Sequence, residues 1–97
     1  MLQQFSIARI EQQRVVVLTN TLFHNIDVLL VALIKPKTTA ALLTQFQIPV
    51  TIEQQGCYID LLDIASVSSK RLKATEINLQ SYRQQIKAGL DLLIDGF

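Results

Sequence analysis

The sequence predicts a mainly β protein with one C-terminal α-helix, folded as a single domain over residues 1–97. Three observations carry this. Stretches rich in valine, leucine and isoleucine follow one another between short polar connections, as strands do. Only the stretch from Ser81 to Phe97 keeps a helical period over several turns. Hydrophobic residues make up 49 % of the chain and charged residues 18 %, below the usual quarter or so. So low a share of charge points to apolar surface covered by self-association.

The elements read as follows. Phe5 to Ile10 alternates large apolar with small or polar residues and predicts a strand, with Phe5, Ile7 and, as a candidate, Arg9 on one face. Glu11 to Gln13 is a short polar connection. Arg14 to Thr19 is rich in β-branched residues and predicts a second strand, buried on both faces and paired antiparallel with the first. Asn20 to Asn25 breaks the pattern with turn formers around Leu22 and Phe23, which either tuck onto the core or form a contact site. Ile26 to Ile34 is apolar throughout except for Asp27 and predicts a central strand, ended by Lys35 to Thr39, where Pro36 cannot donate to a ladder. Ala40 to Phe46 reads as a loop or a short turn of helix. Pro49 to Glu53 and Cys57 to Leu62 flank Gln54, Gln55 and Gly56, a hairpin with glycine supplying the turn. Asp63 to Ser69 is rich in small polar residues and reads as a turn or a short 3₁₀ piece. Leu72 to Ile77 predicts an edge strand guarded by Lys73 and Glu76.

The helix is the best-marked element. Ser81 with Gln84 three residues on forms a capping-box pattern. Tyr82, Ile86, Leu90, Leu93 and Phe97 make one apolar stripe, and Gly96 suits a left-handed closing turn. Asp91 and Asp95 lie in the last turns, where acid opposes the helix dipole at about 0.3–1 kcal/mol each. Leu92 and Ile94 widen the apolar surface beyond one core contact, which suits either a dimer mate or a docking surface for a partner.

Composition excludes several classes. A net charge of +1, with no basic cluster beyond Lys70, Arg71 and Lys73, leaves no nucleic-acid footprint. One cysteine allows no internal disulfide, and Cys57 is expected reduced in a cytoplasmic protein. The opening residues are not those of a secretory signal, and the run from Val28 to Ile34 is too short to span a bilayer. His24 has no acidic or thiol neighbour that would make it a metal ligand or a base. Asp60 and Asp63, three apart, fall on opposite faces of a strand and read as a solvated strand end. Lys87, four before Asp91, is its expected ion-pair partner. The residues by themselves describe a small interaction domain with neither catalytic residues nor a metal site or cofactor.

Asp63 to Val67 (Asp-Ile-Ala-Ser-Val) and the ending from Leu79 to Phe97, with Ile86, Gly89, Leu90, Asp91, Leu92, Leu93, Ile94, Gly96 and Phe97, resemble the CcdB family of plasmid and chromosomal toxins. The first half is similar in layout: a hairpin near the start, a loop after the second strand, and an apolar third strand leading to a proline. The resemblance implies a small SH3-like antiparallel barrel (CcdB/MazF-like) with a C-terminal helix, forming a homodimer in the cytoplasm. It implies a non-enzymatic poison of DNA gyrase, wedged into the dimerisation region of the gyrase A subunit. A cognate CcdA-like antitoxin with a disordered tail would neutralise it. The target-binding positions it implies here are Asp91, Ile94, Asp95, Gly96 and Phe97, joined by Leu22 and Phe23.

One position departs from that pattern. Asp95 stands where the archetypal toxin has tryptophan, an anchor whose truncation typically costs about 2 kcal/mol or more. An aspartate is costly to bury unpaired. The alternative reading is therefore a CcdB-fold protein that has lost gyrase poisoning and serves as an antitoxin-binding or other interaction protein. A MazF-like endoribonuclease is a third reading. It would need Arg9, Arg14, Lys35 and Lys37 to converge in one groove.

Overall fold

A computed structural model describes residues 2–20, 27–37 and 45–96. Six strands, β1 (Ser6–Ile10), β2 (Gln13–Val17), β3 (Val28–Pro36), β4 (Gln47–Ile52), β5 (Gln55–Ser68) and β6 (Lys73–Asn78), precede one helix, α1 (Arg83–Asp95). The strands form one sheet in the order β4-β5-β3-β2-β1-β6, curled into a half-barrel. Each pairing in it is antiparallel. The expected mainly β architecture with a terminal helix is what forms.

Burial explains the sheet order. β2 is buried on both faces, as its run of valines requires. Val16 and Leu18 join one apolar cluster, and Val15 and Val17 join the other. β3 lies beside it at the centre, with Ala32 and Ile34 on one side and Leu29 and Val31 on the other. β1 also has two buried faces, because Ala8 lies in the second cluster while Phe5 and Ile7 lie in the first. Arg9, the candidate third member of that inner face, is exposed. α1 covers the first cluster through Ile86, which is wholly buried.

The edges are blunted. β6 is an edge as expected, with Lys73 and Glu76 in solvent. β4 is the other. Pro49 has no N–H to offer there, and the Thr51 N–H donates to the Tyr82 hydroxyl at 3.1 Å. That bond closes the edge against β4 and draws the start of the helix onto the sheet.

Several sequence expectations give way to tertiary contacts. β1 begins at Ser6, because Phe5 sits at φ 66°, a region a bulky residue enters only at about 1–2 kcal/mol. The Phe5 N–H donates to the Val17 carbonyl at 2.6 Å, and the Phe5 carbonyl accepts from Leu79 at 2.8 Å, which hold the turn that buries the ring. The second hairpin turns at Glu53 and Gln54, both at positive φ, while Gly56 pairs with Thr51 inside the strands. β3 runs on through Pro36, its last residue. Asp63 to Ser68 is not a turn: β5 continues through it, because Ile64 to Ser68 pair with Ala32 to Val28. Small polar residues stay extended there because the β3 backbone takes their hydrogen bonds. The capping box does not form. Ser81 lies in a 3₁₀ turn, Asn78 Oδ1 accepts the Gln80 N–H at 2.6 Å, and α1 starts after Tyr82 with no side-chain cap. Of the expected connection from Ala40 to Phe46, only Gln45 and Phe46 are among the described residues.

Two substitutions test this packing. Gly89 faces the sheet, and a Cβ there would stand 2.5 Å from Leu61 Cδ1 and 3.2 Å from the Gln45 carbonyl oxygen. Leu61 is only 1 % exposed and has little room to yield. Overpacking of about 1–3 kcal/mol outweighs the gain of about 1 kcal/mol from a better helix former. Gly89→Ala is expected to lower the urea midpoint, by about 1 kcal/mol net. Gln54→Gly relieves a left-handed residue and is expected to raise stability by about 1 kcal/mol, read from the same titration.

Candidate functional site

The end of α1 leaves the body of the protein. Along the expected stripe Ile86 is buried, Tyr82 and Leu90 are half-buried, and Leu93 is 40 % exposed. Phe97 lies outside the described residues. Ile94 is 77 % exposed. The missing side chain of Gly89 lets the middle of the helix press on Leu61. Gly96 closes the helix at φ 80°, its N–H bonded to the Leu92 carbonyl at 2.9 Å, with open space around it. That is the expected left-handed cap. Asp91, Asp95 and Gly96 are exposed.

A groove of about 290 Å³ runs along the helix from its first turn to this end. Arg83, Lys87, Leu90, Asp91 and Ile94 form one wall, and Gln4, Phe5, Leu18 and Asn20 form the other. The sheet wall includes the stem of the connection from β2 to β3. Its closing bonds are Leu18 N–H to Leu30 O and Leu30 N–H to Thr19 Oγ1, each 2.8 Å. The helix tip and the stem of that connection are thus neighbours, although they are far apart in sequence. Leu22 and Phe23 lie outside the described residues, as does His24. Nearby, Val28 and Leu30 at the start of β3 are 50 % and 40 % exposed. Sequence reading missed them, since a continuous apolar run looks buried throughout. The Lys87–Asp91 ion pair does not form. Among the described residues, the pairs are Lys35–Asp60, Lys35–Asp63 and Arg71–Glu11.

Asp60 and Asp63 are not a solvated strand end. The register of β5 against β3 slips between Ala32↔Ile64 and Leu33↔Asp60, so Leu61, Leu62 and Asp63 have no partner on β3. Asp60 Oδ1 accepts the Leu62 N–H at 3.0 Å. This bulge re-aims Asp63, and both carboxylates reach one amine, with Lys35 Nζ 2.7 Å from Asp60 Oδ2 and 3.1 Å from Asp63 Oδ2. These two acceptors raise the Lys35 pKa above the ordinary lysine value of 10.5, the Asp60 bond first, against a smaller opposing effect of burial.

The cations of the ribonuclease reading do not converge. Arg9 and Arg14 are cross-strand partners, and Arg14 pairs with Ile34, on the face opposite Lys35. Arg14 Nη2 donates to Cys57 Sγ at 3.3 Å, and the thiol is buried. Lys35 is held by two carboxylates. Among the described residues no group of histidine, cysteine and acidic side chains could hold a metal ion. No helix among them is long and apolar enough to cross a membrane.

Comparison with known proteins agrees with this architecture. The family model described as CcdB protein matches residues 4–96. No curated protein sequence matches the chain. The crystal structure of an Mtb toxin superposes with a TM-score of 0.72 at 16 % identity, over 94 % of this chain and 99 % of that one. At that identity the likeness is one of fold.

The Lys35 bridge gives a test of the bulge. Removing the amine leaves two facing carboxylates, one of them buried, so Lys35→Met is expected to cost about 2 kcal/mol at neutral pH. A folded-state pKa raised above the unfolded value contributes stability in full below about pH 10 and loses it as pH rises through the raised value. Wild type should therefore lose its advantage over Lys35→Met only as the pH rises beyond the ordinary lysine value of 10.5, in melts of the two chains run side by side.

Proposed function

Since the chain belongs to the CcdB family, with all but its ends matched by the family model, we propose that it is the toxin of a type II toxin–antitoxin module. It acts by protein–protein contact rather than by catalysis. Its target is the A subunit of DNA gyrase, and a CcdA-like antitoxin neutralises it. The proposed contact set is Asp91, Ile94, Asp95 and Gly96 with Phe97 beyond them, and Leu22 and Phe23 from the connection after β2.

The exposure of Ile94 at the end of a capped, rigid helix carries this reading. A branched aliphatic side chain held in water gains about 1.5–3 kcal/mol when a partner covers it. The chain presents it on a helix rather than a loop, so little ordering cost opposes that gain. A homodimer is part of the proposal. Val28, Leu30, Leu62 and Leu93 are large apolar side chains left 40–57 % exposed, which a second copy would cover.

Asp95 supports a second reading. It is exposed beside the tip, with no ion-pair partner among the described residues. Docking on an apolar target would strip water from its carboxylate without compensation. A member with this tip could keep its antitoxin and dimer contacts while binding gyrase weakly.

Expression in a gyrase-sensitive bacterium separates the two. A toxin arrests growth, and the chain lacking residues 95–97 does not. Binding to an antitoxin from the adjacent gene without growth arrest selects the second reading. Asp95→Trp is expected to tighten binding to a gyrase A fragment about 30-fold, equivalent to an anchor worth about 2 kcal/mol. A full-length chain that neither slows growth nor binds the fragment ends the toxin reading.

A further inference from the structure

Where the β2–β3 ladder ends, its last rung is divided between two side chains. The register runs through Val17 opposite Val31 and puts Leu18 opposite Leu30. The Leu18 N–H donates to the Leu30 carbonyl at 2.8 Å. Residues facing each other in this way ordinarily exchange both bonds. Here the Leu30 N–H donates to Thr19 Oγ1 at 2.8 Å instead, and the Leu18 carbonyl accepts from Gln4 Nε2 at 3.1 Å. Gln4 lies in a strap that is also tied to the approach to the helix. The Gln4 carbonyl accepts from Gln80 Nε2 at 3.3 Å, and the Phe5 carbonyl accepts from the Leu79 N–H at 2.8 Å. With Phe5, Leu18 and Asn20, Gln4 lines the groove wall across from Leu90 and Ile94.

We propose that Gln4 and Thr19 are positioning residues for the target contact. The divided rung fixes where the chain leaves β2, and through Gln4 it fixes that exit relative to the helix. A backbone rung would tie β2 to β3 and to nothing else. Handing the Leu18 carbonyl to Gln4 brings in a third segment, and that segment is bonded to Leu79 and Gln80 at the helix entry. Each of the two side chains acts through the backbone group it holds. The inference rests on the toxin reading, because it needs a partner that touches both the helix tip and the connection carrying Leu22 and Phe23. Such a partner gains from both halves together when their spacing is set beforehand. Without that, ordering them is a cost of binding.

Gln4→Met and Thr19→Val keep the approximate size of each side chain and remove its bond. Each should weaken binding of the full chain to a gyrase A fragment about 10-fold, as the loss of one ordering hydrogen bond implies. Thr19→Ser keeps the acceptor and should bind as wild type does. Thr75→Val is the control for stability. It removes a hydroxyl that donates to the Ile7 carbonyl at 2.6 Å and accepts the Ile77 N–H at 3.2 Å, away from the groove. It should lower the melting temperature by as much as the other two and leave binding unchanged. Hydrogen exchange reads the rung directly. The Leu30 amide should exchange severalfold faster in Gln4→Met, although the Gln4 side chain bonds Leu18 and not Leu30. The positioning role is overturned, with the toxin reading intact, by any of four results: wild-type affinity in Gln4→Met or Thr19→Val, a Thr19→Ser chain that binds weakly, an equal loss of binding in Thr75→Val, or a Leu30 amide unchanged in Gln4→Met. A wild-type chain that does not bind the fragment ends both.

Discussion

The architecture turns on the bulge of β5 at Leu61 to Asp63. Three residues leave the ladder there, and each has a consequence. Leu61 drops into the core beneath Gly89 and sets how closely α1 can approach. Leu62 gives its N–H to Asp60. Asp63 swings round to share Lys35 with Asp60. A bulge bends a strand and increases its twist, and β5 is long enough to use that bend. Its first half pairs with β4 and its second half continues along β3 to the far end of the sheet.

Seating the middle of the helix on a glycine has a cost and a use. Glycine in a helix interior is unfavourable by about 1 kcal/mol. In return the helix axis comes close enough for Ile86 to be wholly buried, while Ile94 in the final turn stays exposed. The tip therefore combines a rigid backbone with an unpacked surface. The body around it is made self-sufficient by two clusters on opposite faces of the sheet and by a β4 edge closed with Pro49 and Tyr82.

The helix tip and its neighbouring groove come from distant parts of the sequence. Asp91 and Ile94 were legible as site candidates because acid at a helix C-terminus and apolar residues off the main stripe contradict what a purely structural helix needs. Their neighbours across the groove, Phe5, Leu18 and Asn20, were not legible, since each reads locally as strand or turn. Val28 and Leu30 were hidden for a related reason. An apolar run specifies a strand without saying where the cover over it stops.

Apart from Asp63 to Ser68, the sequence alone determined which segments become strands and which becomes a helix, because period and side-chain branching are local properties. It marked β2 and β3 as central, since only central strands bury both faces, and Gly96 as the helix stop, since few residues take a left-handed conformation. The tertiary structure decided the turn at Glu53 and Gln54, the extended path of Asp63 to Ser68, the failure of Ser81 as a cap, and the meeting of Asp60 with Asp63 on Lys35. For Asp63 to Ser68 and for the Lys35 bridge, hydrogen bonds from β3, far away in sequence, outweighed a local preference of about 1 kcal/mol. No window of neighbouring residues contains those partners.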